Sequence, residues 1–472
     1  MVKGKVLQNF KGINEYPTAS ANAFPWGDPV WCSVRGGVIE KLPGEEQIGT
    51  HIYATATTTN ASAVTGFHDY YNSSDAVRHI VVASGTQWSE ADLTSGYTTT
   101  TAWTIIKTGL TTGGRWTFVQ FNDLAIGFNR NNHPQGYNHV TVADLGGSPP
   151  HGDFGLIQGE RLLIFRNKRF NISNEGNPEI YGVLNFVDLY TEDDDLFTGA
   201  ISAGYGQSYL FLKRHVYGLS GTDPDAYSLA PISAEYGAVS WHAITQYNSR
   251  TFFFGYKGLC EIVNGVPTLI SQRVQETIDR INWTYGNLIS LDIDGDYLRI
   301  AVPIDESATC NYGLCLDLTN GQWSRYPNLK DACFGRVLIN GEEKLCAGNA
   351  DALAYLYAVD ATTNHRGVAI TAYYDTHLEA PPGVYLVSGR AHIVAGEETT
   401  TTTITFAYSS NRGTWTTGES FTVKGVSGGV TQEPVEPLSE GTVLGYRVAN
   451  ANSGETFMVK AITATFEEQQ DF

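Results

Sequence analysis

The clearest pattern in the sequence is Arg250-Thr251-Phe252-Phe253-Phe254-Gly255-Tyr256-Lys257-Gly258-Leu259-Cys260-Glu261-Ile262. Two runs of apolar and aromatic residues stand on either side of a short turn that contains two glycines. Aromatic residues suit the pleated surface of a strand, and glycine suits the tight turn that joins two strands. The stretch therefore predicts two consecutive strands of one β-sheet.

The same pattern, an apolar run beside a glycine-containing turn, recurs along residues 78–360. Its seven instances are His79–Ala83, Leu124–Phe128, Arg161–Phe165, Tyr209–Leu212 with Val216–Leu219, Thr251–Gly255 with Leu259–Ile262, Tyr297–Val302 with Leu314–Leu316, and Lys344–Ala347 with Tyr355–Tyr357. Their mean spacing is about 40 residues, which is the period of four-stranded propeller blades. We therefore expect an all-β fold with a β-propeller of about seven blades. Six or five blades are also possible, because insertions such as residues 184–195 make the number of repeats uncertain to count. An array of β-sandwiches is the alternative architecture.

The pattern of prolines and apolar runs divides the chain into three parts. Residues 1–50 contain four prolines and only short apolar runs, so we expect an extended N-terminal arm that crosses a surface or a partner. Residues 51–363 form the predicted propeller. Residues 364–472 contain at least six strand-like runs in about 100 residues, which is the size of one C-terminal β-sandwich. The six runs are Ala369–Tyr374, Val384–Val387, Thr399–Phe406, Ser420–Val423, Gly445–Val448 and Ala461–Phe466.

One segment departs from the strand pattern. Val274, Ile278 and Ile281 lie at i, i+4 and i+7, which is the spacing of one helix face. Ser271 precedes them as a candidate N-cap. We expect a short amphipathic helix that covers an edge between two blades.

The composition supports a folded all-β chain of 472 residues. Hydrophobic residues make up 42% and charged residues only 17%, and there are 50 glycines and 26 tyrosines. The formal net charge is −19. Duplex affinity comes largely from cationic neutralisation of phosphates, so this chain is a poor candidate for wrapping nucleic acid. Acidity also keeps a large protein dispersed, so the charge alone does not identify a function.

The six cysteines form no Cys-x-x-Cys pair and have no histidine nearby at ligand spacing. We therefore expect no zinc site, no other metal and no cofactor. Cys315 lies in a strand-like run, where a buried free thiol is the ordinary expectation. The first residues lack the order of a signal peptide, and no stretch approaches a membrane span, so we expect use in a cytoplasm.

Two acidic stretches are candidates for chemistry. Glu192, Asp193, Asp194 and Asp195 could supply carboxylates for glycoside hydrolysis, but four adjacent acids in a loop more often form a solvated face or an interface patch. Residues 292–296 begin like a calcium loop, yet Tyr297 and Pro303 stand where such a loop needs glycine and glutamate. We therefore expect a polar hairpin turn at the second stretch rather than a calcium site. No catalytic motif for hydrolase, kinase or dinucleotide chemistry occurs, and we expect no enzyme.

Three parts of the chain carry a resemblance to a known family. They are Asn9-Phe10-Lys11-Gly12-Ile13-Asn14 with Gly36-Gly37 and Lys41-Leu42-Pro43-Gly44, then the stretch 250–262, and finally Asp317-Leu318-Thr319-Asn320-Gly321-Gln322-Trp323-Ser324-Arg325-Tyr326. In this layout the chain resembles the tail nozzle or hub proteins of short-tailed bacteriophages, also called packaged-DNA stabilisation proteins. The likeness covers nearly the whole chain in layout.

The resemblance implies a structural virion protein without catalytic residues. Such a protein forms a ring, usually of six copies, below the portal and its adaptor and beside tail fibre or tailspike proteins. The ring retains the packaged DNA and later lets it pass without specific binding, so the expected location is the virion tail after assembly in the host cytoplasm. On this view Glu192–Asp195 is a candidate acidic lumen or interface patch. The rival hypothesis is a receptor-binding or glycan-degrading tail protein on a propeller scaffold.

Overall fold

The computed structural model describes residues 2–8, 10–13, 27–52, 62–74, 76–204, 206–351, 353–395, 401–423 and 431–470. Regular structure in these ranges is almost entirely β-strand, and the α-helix α1 (Gln275–Asp279) has only five residues. No helix within these ranges is long and apolar enough to cross a membrane. The expectation of an all-β chain is confirmed.

The strands before the first blade are β1 (Val2–Gln8), β2 (Gly27–Val30), β3 (Cys32–Arg35), β4 (Val38–Lys41) and β5 (Gly44–Ile48). Blade 1 contains β6 (Val64–Asn72), β7 (Val77–Ser84), β8 (Gln87–Asp92) and β9 (Thr104–Lys107). Blade 2 contains β10 (Thr117–Phe121), β11 (Leu124–Phe128), β12 (Gln135–Tyr137) and β13 (Val142–Asp144). Blade 3 contains β14 (Phe154–Gln158), β15 (Arg161–Arg166), β16 (Arg169–Asn174) and β17 (Asn177–Asp188).

Blade 4 contains β18 (Phe197–Gly204), β19 (Gln207–Leu212), β20 (Val216–Ser220) and β21 (Ser228–Ser233). Blade 5 contains β22 (Ile244–Tyr247), β23 (Arg250–Gly255), β24 (Gly258–Val263) and β25 (Val266–Leu269). Blade 6 contains β26 (Ser290–Asp294), β27 (Tyr297–Val302), β28 (Tyr312–Asp317) and β29 (Gln322–Pro327). Blade 7 contains β30 (Asp331–Ile339), β31 (Glu342–Asn349) and β32 (Leu356–Thr362), with β5 as its outer strand.

The seven sheets form a closed ring. The innermost strands β6, β10, β14, β18, β22, β26 and β30 contact one another in this order, and β30 contacts β6. Six of the sheets are self-contained, whereas blade 6 continues through β29 into a larger sheet. Each blade has two apolar faces that only its neighbours can cover, so closing the ring buries all of them. The predicted propeller is therefore present.

The remaining strands are β33 (Asn364–His365), β34 (Val368–Ala369), β35 (Ala372–Glu379), β36 (Val384–Ala395), β37 (Thr402–Ser410), β38 (Thr416–Val423), β39 (Thr431–Val435), β40 (Glu440–Gly441), β41 (Val443–Asn450) and β42 (Met458–Gln470). Most of them belong to two sheets that enclose one large apolar core. One sheet has the order β3-β4-β42-β36-β39, with β1 beside β42 and β40 beside β36. The other runs β29-β2-β35-β41-β37-β38 and is the continuation of blade 6.

The N-terminal segment, expected as an extended arm, is built into both parts of the molecule where the structure describes it. Strands β1, β3 and β4 belong to the C-terminal sheet, β2 joins blade 6 to the other sheet, and β5 completes blade 7. Gly12 lies against blade 6 so closely that a Cβ atom would stand 2.5 Å from the carbonyl oxygen of Trp323. The expected domain boundary at residue 50 does not separate the hydrogen-bonded sheets, because β5, which ends just before it, is the outer strand of blade 7.

The segment after blade 5 contains a short 3₁₀ turn, Gln272–Val274, followed by α1. Val274, Ile278 and Ile281 are buried in the core shared with blades 5 and 6, as the periodicity predicts. Ser271 does occupy the N-cap position of the 3₁₀ turn, but its side chain makes no capping hydrogen bond. Its hydroxyl instead accepts a hydrogen bond of 3.0 Å from the backbone N–H of Leu259, because Ser271 is fully buried against blade 5. Other 3₁₀ turns are Pro224–Ala226, Trp241–Ala243 and Trp283–Leu288.

Candidate functional site

The four acids of residues 192–195 lie in the connection from β17 to β18, between blades 3 and 4. Connections between blades and the turns between second and third strands share one face of an antiparallel propeller, which we call the upper face. The turns between first and second strands, and between third and fourth strands, lie on the lower face. The acidic connection is therefore on the upper face.

Asp195 is a buried anchor, only 6% exposed. Its carboxylate accepts hydrogen bonds from the backbone N–H groups of Lys213 (3.2 Å) and Arg214 (2.8 Å), and it contacts His215 Nδ1 at 2.9 Å. It also accepts a 2.8 Å bond from the N–H of Leu196. Both carboxylate oxygens are thus engaged by the turn between β19 and β20. Asp195 therefore fixes this turn, and the lone pairs of its carboxylate are already engaged by these contacts.

The other three acids diverge. The side chain of Asp194 is 81% exposed and pairs with Lys168 of blade 3, and its φ of 59° places it at a tight turn. Asp193 lies 3.8 Å from His215 Nδ1, and a hydrogen bond with the side chain of Thr191 lowers the pKa of the Asp193 carboxyl. Glu192 is exposed. The structure therefore brings Asp193 and Asp195 together at His215 and directs Asp194 and Glu192 elsewhere.

Asp193–Asp195 line one side of a cleft of about 640 Å³ between blades 4 and 5. Its other lining side chains include Lys213, Arg214, Glu235, Tyr236, Tyr256 and Lys257. Lys257 forms an ion pair of 2.6 Å with Glu235 and lies over the ring of Tyr236. The charges of this cleft are mixed and partly paired, so it is not a uniformly acidic wall.

A second cavity, of about 450 Å³, lies on the propeller axis and is lined by residues of blades 1, 4, 5, 6 and 7. Asp292 accepts a 2.6 Å hydrogen bond from the hydroxyl of Thr245 and lies 3.3 Å from Arg336. Burial raises the pKa of Asp292 above its ordinary value, and burial lowers the pKa of His68 to about 4. The axial cavity is therefore lined by an acid–arginine pair and, at physiological pH, by a neutral histidine. None of the residues 192–195 lines it.

The acidic stretch 292–296 forms a hairpin and not a calcium loop. Gly295 occupies the turn with a φ of 57°, between β26 and β27. Asp292 faces the axis, Asp294 lies 3.6 Å from Arg299, and Asp296 lies 3.6 Å from Arg35. The three carboxylates therefore have separate partners, and none belongs to a cluster of metal-ligating side chains among the described residues.

The cysteines are free and buried. Burial raises the pKa of the thiols of Cys260, Cys310, Cys315 and Cys333 to about 12. The expectation of a buried free thiol at Cys315 is confirmed. At neutral pH these thiols are protonated, and a thiol in this state is a poor nucleophile and a poor metal ligand.

Comparison with known proteins finds β-propellers among solved structures. The WD40 propeller domain of Doa1 is 9% identical with a TM-score of 0.42, over 67% of this chain and 97% of that one. YCF48 bound to D1 peptide is 8% identical with a TM-score of 0.41, over 68% and 99% of the two chains. PorZ, a surface component of the type-IX secretion system of Porphyromonas gingivalis, is 9% identical with a TM-score of 0.40, over 74% and 44%. No family model and no curated protein sequence matches the chain.

Proposed function

We propose that this chain is a non-enzymatic structural protein of a virus particle that assembles into a ring, the tail nozzle below a portal and its adaptor. In this proposal six copies enclose a channel that retains packaged DNA and conducts it at ejection. Tail fibre or tailspike proteins are the expected neighbours. The proposal rests on the resemblance described above and on one feature of the surface.

The observation that carries the proposal is an apolar bulge on β17, the outer strand of blade 3. Tyr181 pairs with Ser173, and Phe186 pairs with Asn171, so residues 182–185 project from the ladder between these two pairs. Val183 is 92% exposed and Leu184 is 84% exposed. Natural edge strands are usually protected by charge, proline or a cover, and exposed apolar side chains together mark a protein contact. The bulge therefore has the properties of an assembly surface.

The dimensions of the axial cavity support a channel between copies. A volume of about 450 Å³ is that of a small-molecule pocket, and paired charges line it. DNA would therefore pass through the centre of a ring and not along the axis of one propeller. The net charge of −19 suits such a channel, because carboxylates on the wall repel phosphates and leave few cations to retain them.

The rival hypothesis of a glycan-degrading protein needs a general acid and a base or nucleophile with free lone pairs. In the cleft between blades 4 and 5, both oxygens of Asp195 accept hydrogen bonds that hold a turn. Asp195 is therefore unsuited to either role, which favours the structural proposal.

The assembly surface is tested with the double variant Val183→Ser/Leu184→Ser. We expect wild type to form a ring in solution, measured by light scattering after gel filtration, and the double variant to be monomeric with unchanged circular dichroism. Leu438→Ser is the matched control, because Leu438 is 82% exposed on the C-terminal part. A ring that survives the double variant would show that the bulge is not an interface.

A further inference from the structure

His79, Glu90 and His139 form a cluster on the lower face, at the junction of blades 1 and 2. His79 lies near the start of β7 and Glu90 lies on β8, while His139 lies in the turn between β12 and β13. One ligand atom from each of the three residues lies within 4.8 Å of the others. The three residues are 11 and 49 positions apart in sequence, so only the packing of two blades brings them together.

The cluster is partly organised without an ion. His79 Nδ1 lies 3.0 Å from Glu90 Oε2, and the side chains of both residues are about 15% exposed or less. Tyr137 donates its hydroxyl proton to the same carboxylate. The rings of His79 and His139 meet edge to face with centroids 4.8 Å apart. Two imidazoles and a carboxylate therefore face one another in a sheltered position.

His139 has two features that its local structure does not explain, a buried ring nitrogen without a partner and a left-handed backbone. Its Nδ1 atom is buried and has no hydrogen-bond partner among the described residues. Its φ of 75° is in the left-handed region, which few residues other than glycine adopt. A buried polar atom without a partner costs about 1–3 kcal/mol, so such atoms call for an explanation such as an ion. A strained backbone that directs this ring into the cluster fits the same explanation.

We propose that His79, Glu90 and His139 bind one divalent transition-metal ion of the zinc class and that this ion ties blade 1 to blade 2. Two imidazoles with one carboxylate are a common ligand set for zinc and for related first-row ions. In a tetrahedral site, bonds of about 2.0–2.1 Å place ligand atoms about 3.4 Å apart. The ligand atoms all lie within 4.8 Å of one another, so reaching this geometry needs shifts of at most roughly 1.4 Å. The turn that carries His139 lies at the surface, where the adjacent Val140 is 80% exposed.

A second cluster of histidine and carboxylate side chains has only one histidine, and its carboxylates are already engaged. Asp193, Asp195 and His215 also place ligand atoms within 4.8 Å of one another. The oxygens of Asp195 already accept three backbone hydrogen bonds there, so an ion would have to displace the donors that hold the turn. The junction of blades 1 and 2 has an unpartnered ring nitrogen instead. This second cluster serves as the internal comparison.

The test titrates the full chain, freed of metal by a chelator, with Co²⁺ and Zn²⁺. We expect one equivalent of Co²⁺ to bind with the visible absorption of a four-coordinate site and to be displaced by Zn²⁺. His139→Asn and Glu90→Gln should each weaken binding at least ten-fold, since even loss of an outer-shell partner costs about 10–100-fold. Asparagine is chosen at position 139 because it tolerates the left-handed backbone.

Two matched variants leave the binding unchanged if the proposal holds. His215→Asn alters the second cluster, and His133→Asn removes a histidine whose ring lies 4.2 Å from that of His151 outside either cluster. X-ray absorption at the zinc edge of the wild-type complex gives a result that does not depend on any variant folding. Two imidazole ligands are expected, whereas the second cluster has one. Absence of stoichiometric binding, one imidazole in the spectrum, or equal binding by the His139→Asn variant would each overturn the proposal.

Discussion

Arg366 joins the three parts of the chain at the point where the propeller ring closes. Its guanidinium donates a 2.7 Å hydrogen bond to Glu45 on β5 and also pairs with Asp331 at the start of β30. The two carboxylates are 3% and 0% exposed. Arg366 itself lies between β33 and β34, where the C-terminal part begins. We predict that Arg366→Met destabilises this closure strongly.

The magnitude follows from the burial of the partners. Burial and the nearby Glu45 carboxylate raise the pKa of Asp331 well above its ordinary value. Burial also opposes the charge of Glu45, but Arg366 and His365 hold the pKa of Glu45 below its ordinary value. Arg366 contacts both carboxylates and compensates the negative charge of this buried pair. Removing one partner of a buried ion pair costs about 3–5 kcal/mol, because the other charge stays buried.

The matched control is Arg412→Met. Arg412 pairs with Glu379 at 2.6 Å, but the two side chains are 64% and 55% exposed. Arg366 and Arg412 have similar left-handed backbones, with φ of 51° and 58°, so methionine meets the same backbone constraint at both sites. An exposed pair contributes about 0–1 kcal/mol. The control should therefore unfold within about 1 kcal/mol of wild type.

The assay is guanidinium unfolding followed by tryptophan fluorescence, with calorimetry as a second probe. Glu45→Gln combined with Arg366→Met should recover part of the lost stability, since it removes the unpaired charge. Equal losses for Arg366→Met and Arg412→Met would show that burial of the partners does not set the cost. So would a double variant that is less stable than Arg366→Met alone.

Three further predictions concern other buried groups. Asp195→Asn should lower the unfolding free energy by about 1.5–3 kcal/mol in a denaturant titration, because its carboxylate receives several hydrogen bonds, while Asp194→Asn should change it by less than about 1 kcal/mol. Burial lowers the pKa of His68 from 6.5 to about 4, so the stability that its neutral form contributes is complete above pH 6.5 and is lost as the pH falls toward 4. The loss in unfolding free energy reaches about 3 kcal/mol, and in His68→Asn the melting temperature should depend less on pH over this range. Gly127→Ala should cost about 1–3 kcal/mol in the same titration, since its Cβ would stand 2.5 Å from the ring of Trp88, and a neutral effect would show that the core yields.

The repeat was predictable because it depends on local pattern. Each of the seven apolar runs read from the sequence lies on the second or third strand of a different blade. The strands in the middle of a blade are covered on both faces, so they are continuously apolar and stand out. Outer strands such as β17 are half exposed and carry a weaker pattern. The helical spacing of Val274, Ile278 and Ile281 was detectable for the same reason.

The long-range pairings could not be predicted. Strand β5 hydrogen-bonds to β32, more than 300 positions away, and β1 pairs with β42 at the other end of the chain. Neither pairing leaves a periodic signal in the sequence. The role of Asp195 and the cluster around His139 depend likewise on contacts between separate turns and blades. Residue type showed that Asp195 is acidic, but only the fold shows that its oxygens are engaged.

Electron cryomicroscopy of this chain bound to the portal and adaptor of a short-tailed phage, or within such a virion, tests whether it forms the proposed tail nozzle. We expect a six-fold ring on the tail axis, with β17 of each copy against its neighbour and the end of the DNA inside the ring. Copies placed at the periphery of the tail as trimers in contact with host glycan, or absence of the chain from the tail, would show that the chain is not a tail nozzle.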